Sequence, residues 1–122
     1  MPNSTSPRPQ VLPGTLDLMV LSMLDRSPCH AYELARRITA VTGRVVAIEE
    51  GSLFPCLKRL ESGGFLVRQA GIGPSGRRVR NCRLTVAGRR ELRRQITLWR
   101  DACRAVEAVL ALPAAGELGD YL

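Results

Sequence analysis

Residues 51–62 read GSLFPCLKRLES and continue at 63–84 as GGFLVRQAGIGPSGRRVRNCRL. Placed at 100° intervals, Leu53, Cys56, Leu57 and Leu60 share one face, which predicts a helix from about Ser52 to Ser62. Gly51, Ser52, Pro55, Lys58, Arg59 and Ser62 turn the other way, so the outer face is small and basic. Pro55 is tolerable in or just beyond the first turn, where little hydrogen bonding is lost. Gly63-Gly64 ends the helix, and two β-prone runs follow, Phe65 to Gln69 and Val79 to Leu84. Between them lie the turn-rich residues 71–76 and then Arg77-Arg78, which predicts a hairpin with a basic tip.

Upstream, Leu16, Leu18, Met19, Val20, Leu21, Met23 and Leu24 predict a helix apolar on nearly all sides, capped by Thr15 and broken by Ser27-Pro28. Such a helix must be covered on two faces. A second helix, Ala31 to Val41, buries Leu34, Ala35, Ile38 and Val41 and is stopped by Thr42-Gly43. Residues 45–48, VVAI, suit either a short strand or a loop. The order is helix, helix, helix, hairpin, which predicts a mainly α, α+β fold: a winged helix-turn-helix. Its third helix would enter a major groove while Arg77, Arg78 and Arg80 meet phosphates.

Thr85 caps a final helix from Val86 to about Leu110, roughly 37 Å long at 1.5 Å per residue, and Pro113 ends it. Leu92, Ile96, Trp99, Cys103, Val106 and Leu110 are spaced 4, 3, 4, 3, 4, an a/d seam. Together with the surplus apolar surface of the first helix (Leu16, Met19, Val20 and Met23), this predicts a homodimer. Trp99 alone could contribute up to about 5 kcal/mol by burying roughly 200 Å². A planar aromatic or hydrophobic effector could also enter beside Trp99. The chain divides into an extended arm at 1–12, a winged unit at 13–85, a dimerisation helix at 86–112 and a tail at 113–122.

Composition narrows the function. The net charge is +7, and residues 36–94 hold fourteen Lys or Arg against four Asp or Glu, which attracts polyanions, duplex nucleic acid first. Aromatic residues are only 4% of the chain, so the core must be aliphatic. In so short a chain, oligomerisation would add stability. The four cysteines, at 29, 56, 82 and 103, form no C-x₂-C pair and follow no secretory signal, so they read as buried structural thiols. No apolar run reaches membrane-spanning length, and the expected location is the cytoplasm. His30 is the single histidine, and no carboxylate pair, nucleophile–base arrangement or phosphate cradle occurs. Neither an enzyme nor a cofactor or metal is expected. The rival classes are a winged protein-interaction module and an RNA-binding accessory protein.

Several stretches resemble one known family: LPGTLDL at 12–18, HAYEL at 30–34, EEGSLFPCLKRLE at 49–61, Gly76-Arg77-Arg78 and RLTVAG at 83–88. Over roughly residues 12–110 the chain is similar to the PadR transcriptional regulators, in particular the short subfamily with one long C-terminal helix. The resemblance implies a winged-helix dimer that usually represses at a palindromic operator and is released, in some members, by small and often aromatic ligands. It implies that Ser52, Phe54, Pro55, Lys58 and Arg59 face the major groove, with Tyr32, Arg77 and Arg78 near the backbone; Arg36, beside them on the second helix, joins the same surface. The chain departs from the family at two points. Tyr is usual where this chain has Phe54, and loss of the phenol should weaken the DNA contact by about 0.5–1.5 kcal/mol. Gly is common where this chain has Ala31, a change that a helical position tolerates.

Overall fold

The computed structural model describes residues 14–113 together with 118, 119 and 122. The expected arm at 1–12 lies outside the described residues, as does most of the expected tail. Seven elements follow in chain order: α1 (Thr15–Arg26), β1 (Cys29–His30), α2 (Ala31–Val41), α3 (Glu50–Ser62), β2 (Leu66–Ile72), β3 (Arg78–Leu84) and α4 (Val86–Leu110). The strands form one antiparallel sheet in the order β1-β3-β2. Three helices, an antiparallel sheet whose β2–β3 hairpin forms the wing, and a long terminal helix make a winged helix-turn-helix.

The core is aliphatic, as the scarcity of aromatic residues requires. Leu21, Leu34, Leu57 and Leu66 are fully enclosed, with Ile38 and Leu53 beside them. Cys29, Cys56 and Cys82 are buried free thiols, and Cys103 is half-buried. Burial pushes the Cys56 thiol up to about 12 and the Cys82 thiol up to about 11, the first raised further by Asp17.

Several local features differ from the sequence reading. Helix α1 already includes Thr15, so its cap falls on Gly14, at a φ of +83° that favours glycine. Helix α3 starts at Glu50, two residues early, and β2 starts one residue late and runs on to Ile72. The turn shrinks to residues 73–77, closed by the Gly73 N–H donating to the Arg77 carbonyl (2.8 Å). Strand β1 was not foreseen. It is two residues long and pairs Cys29 with Cys82 and His30 with Asn81, too short to carry any alternation. Residues 45–48 form a loop rather than a strand, secured by the Thr42 hydroxyl accepting from the Val46 N–H (3.3 Å). His30 caps α2: its Nδ1 accepts the Glu33 N–H at 3.3 Å.

Two residues expected at the dimer contact, Val20 of the first helix and Leu92 of the seam, prove to be core residues. Val20 is wholly enclosed and Leu92 nearly so, both within the chain's own hydrophobic core. Neither has side-chain surface left to offer a second subunit, because α4 packs on α1 of its own chain. The junction that fixes α4 is tight. Phe65 O accepts from Thr85 N–H (3.1 Å), Gly64 O from the Thr85 hydroxyl (2.6 Å), and the same hydroxyl accepts from Gly88 N–H (3.0 Å). A Cβ on Gly88 would lie 2.0 Å from Phe65 O, so only glycine lets the helix come this close.

Candidate nucleic-acid interface

Helix α3 presents its charged face because its other face is taken up by the core. Leu53, Cys56, Leu57 and Leu60 are buried, which leaves Ser52, Phe54, Pro55, Lys58 and Arg59 exposed on the outside. Pro55 lies in the second turn, where it removes the bond to the Gly51 carbonyl. Gly51 has open space around its Cα, so the backbone at the start of α3 is accessible. Phe54 is 46% exposed, a large apolar ring held toward solvent with no phenol to hydrogen-bond.

The wing supplies the second part. On β3, Arg78, Arg80, Cys82 and Leu84 share one face by alternation. Cys82 and Leu84 close over the core, but the strand outruns it, and Arg78 and Arg80 are exposed near the tip with Arg77 in the turn beside them. Deeper on the same face of β2, Arg68 is mostly covered and lies 3.6 Å from Glu61 of α3, which ties wing to helix. Among the described residues its Nε has no hydrogen-bond partner.

Tyr32 and Arg36 lie together on α2, both exposed. With Arg44 and Glu50 they line an open hollow of about 400 Å³ between α2 and the start of α3. Glu33 engages both α2 arginines, Arg37 at 3.2 Å and Arg36 at 3.8 Å, so Arg36 is partly neutralised. Arg59 is likewise engaged: its Nη2 donates to Asp17 Oδ1 of α1 at 2.5 Å. Sequence reasoning missed Arg44, Arg68 and Asp17. Each acts through a partner distant in the chain or through a turn (Arg44 has a φ of +65°), and no local pattern signals that.

On α4, Ile96 packs on the core and Cys103 is half-buried, while Val106 and Leu110 are 56% and 70% exposed. On α1, Leu16, Met19 and Met23 are half-buried at the edge of the core. Trp99 is 40% exposed and stands between two open grooves along α1. One, of about 480 Å³, is lined by Met19, Met23, Ile38 and Ile96 with Arg26 and Arg100. The other, of about 470 Å³, includes Asp17, Leu98 and Ala102. Among the described residues no helix is long and apolar enough to cross a membrane, and no group of three or more His, Cys, Asp or Glu could hold a metal ion.

Residues 20–94 match the model of the transcriptional regulator PadR-like family. A PadR family transcriptional regulator from Eggerthella lenta is 35% identical, with 82% of this chain and 85% of that one covered and a TM-score of 0.70. A PadR family regulator from Clostridium difficile is 26% identical over 80% of this chain and all of that one, at a TM-score of 0.69. Bacillus subtilis PadR, solved in complex with operator DNA, shares the fold at 21% identity and a TM-score of 0.60, covering 67% of this chain and 46% of that one. No curated protein matches. The exposed basic helix, the arginine-tipped wing and these likenesses agree: the chain belongs to the PadR-like family, a DNA-binding transcriptional regulator on a winged helix-turn-helix and not an enzyme.

Proposed function

We propose that the chain acts in the cytoplasm as a homodimeric repressor at a near-palindromic operator. The observation that carries the dimer is the outer half of α4, where Val106 and Leu110 continue the Trp99 stripe and are mostly exposed among the described residues. Pairing of two such helices, with Leu16, Met19 and Met23 at the margin, sets two α3 helices about one DNA turn apart, roughly 34 Å. Because Trp99 is already more than half covered, its further burial contributes about 2 kcal/mol rather than 5, at about 25 cal/mol per Å². Most of the association must therefore come from the rest of the stripe. Ser52, Phe54, Pro55 and Lys58 read the groove, while Tyr32, Arg36, Arg77, Arg78 and Arg80 hold the backbone; Arg59, expected among the groove readers, is engaged by Asp17 in the free chain. A small aromatic or hydrophobic effector docks beside Trp99 and releases the DNA.

Gel-shift titration of the duplex upstream of its own gene, against RNA of the same sequence, tests this reading alongside solution mass. Duplex binding by a species of twice the chain mass is expected, with affinity falling about 10³–10⁵-fold between 50 and 200 mM salt for six to ten phosphate contacts. Preference for the RNA, or binding of neither nucleic acid, would favour an RNA accessory or a protein-docking module instead. Tryptophan fluorescence unmoved by a panel of planar aromatics would remove the effector.

A further inference from the structure

Asp17 stands in the first turn of α1, outside the recognition helix, yet one of its carboxylate oxygens holds that helix at two points. Oδ1 accepts from Arg59 Nη2 at 2.5 Å and from Cys56 Sγ at 3.2 Å. Cys56 is on the buried face of α3 and Arg59 on the exposed face, so this oxygen spans the edge between core and DNA surface. The carboxylate is only 19% exposed, whereas the Arg59 side chain is 61% exposed. The acceptor is therefore partly shielded from salt while the donor remains within reach of a phosphate. Lys58, the neighbouring cation, has no carboxylate partner among the described residues.

We propose that Asp17 is a positioning residue for DNA recognition: it holds Arg59 against α1, withholds that guanidinium from the phosphates, and leaves Lys58 as the charged reader of α3. A charge-assisted bond to a shielded carboxylate competes directly with the phosphate for the same donors. The clasp would keep one exposed arginine of a strongly basic surface from adding sequence-blind attraction. The proposal rests on the DNA-binding reading of α3.

The test measures the slope of log affinity against log salt, by fluorescence anisotropy, on the duplex upstream of its own gene and on a scrambled duplex of equal length. Asp17→Asn keeps the shape but weakens the hold, and should steepen the slope by about 0.9, an extra loss of about 3.5-fold between 50 and 200 mM. Arg59→Gln should leave the wild-type slope unchanged, and Asp17→Asn should have no effect in that background. A shallower slope in Arg59→Gln would mean that Arg59 already contacts DNA and would overturn the clasp. So would an unchanged slope in Asp17→Asn, or a steepening that persists without Arg59 and reflects only the lost negative charge. If Asp17→Asn fails to fold, Arg59→Gln decides alone. Absence of salt-dependent duplex binding by the wild type would instead remove the DNA reading of α3 itself.

Discussion

Replacing Gly88 by alanine should damage the fold far more than its exposed helical neighbours suggest. The added Cβ would stand 2.0 Å from Phe65 O and 3.2 Å from Leu84 Cδ2, where side-chain carbons essentially never come within 3.0 Å of another atom. The start of α4 must therefore retreat by about 1 Å or more from the base of the wing. That movement breaks or stretches Thr85 N–H to Phe65 O and Thr85 Oγ1 to Gly64 O, at about 1 kcal/mol each. It also disturbs the Thr85 cap on Gly88 N–H, about 1 kcal/mol more. Overpacking against Leu84 adds about 1 kcal/mol, and the better helix propensity of alanine returns about 1 kcal/mol. The net loss is about 3 kcal/mol, which lowers Tm by about 12 °C in a chain of 122 residues. Circular dichroism melts at one fixed chain concentration measure it, since association shifts Tm. Gly51→Ala is the control: it is helical with open space around it and should hold or raise Tm. A Gly88→Ala Tm equal to or above wild type would refute the close-approach argument.

Three further outcomes are expected. Lys58→Ala should alter which sequences bind, whereas Arg78→Ala should weaken binding to all duplexes alike; competition gel shifts that leave both variants as wild type would remove both assignments. Leu110→Glu, on a position 70% exposed in the single chain, should leave the monomer folded but lower the solution mass toward one chain. The raised Cys56 and Cys82 thiols favour the folded state while they stay protonated, so their contribution is whole below about pH 9 and is lost as pH rises toward 11 to 12. Urea midpoints should fall between pH 8 and pH 11, and Cys56→Ala should flatten part of that fall.

The amphipathic pattern of residues 52–62 and the hairpin after it were legible because each face of an element repeats within a few residues. The same holds for α4, whose Thr85 cap and seam spacing are local signals. Val106 and Leu110 of the expected stripe are exposed in the single chain, while Leu92 turns inward because α4 packs on α1. Strand β1 has no periodicity to read, and His30, read only for chemistry, is a helix cap. The Asp17–Arg59 bond joins residues 42 apart, and opposite charges at that separation look like any other pair. Gly88 reads locally as a poor helix residue, because the carbonyl that requires it belongs to residue 65.

At Gly64 and Phe65 the base of the wing and the start of α4 share one set of hydrogen bonds with no slack between them. The hairpin is therefore tied to the long helix, and a swing of α4 that keeps these bonds would carry the base of the wing with it. In a dimer joined through α4, subunit spacing and wing angle become a single mechanical coordinate. Inserting one base pair between half-sites turns one of them by about 35° relative to the other. A dimer geared in this way would meet that change with both wings at once, and would select operators by the length of their spacing as well as by sequence.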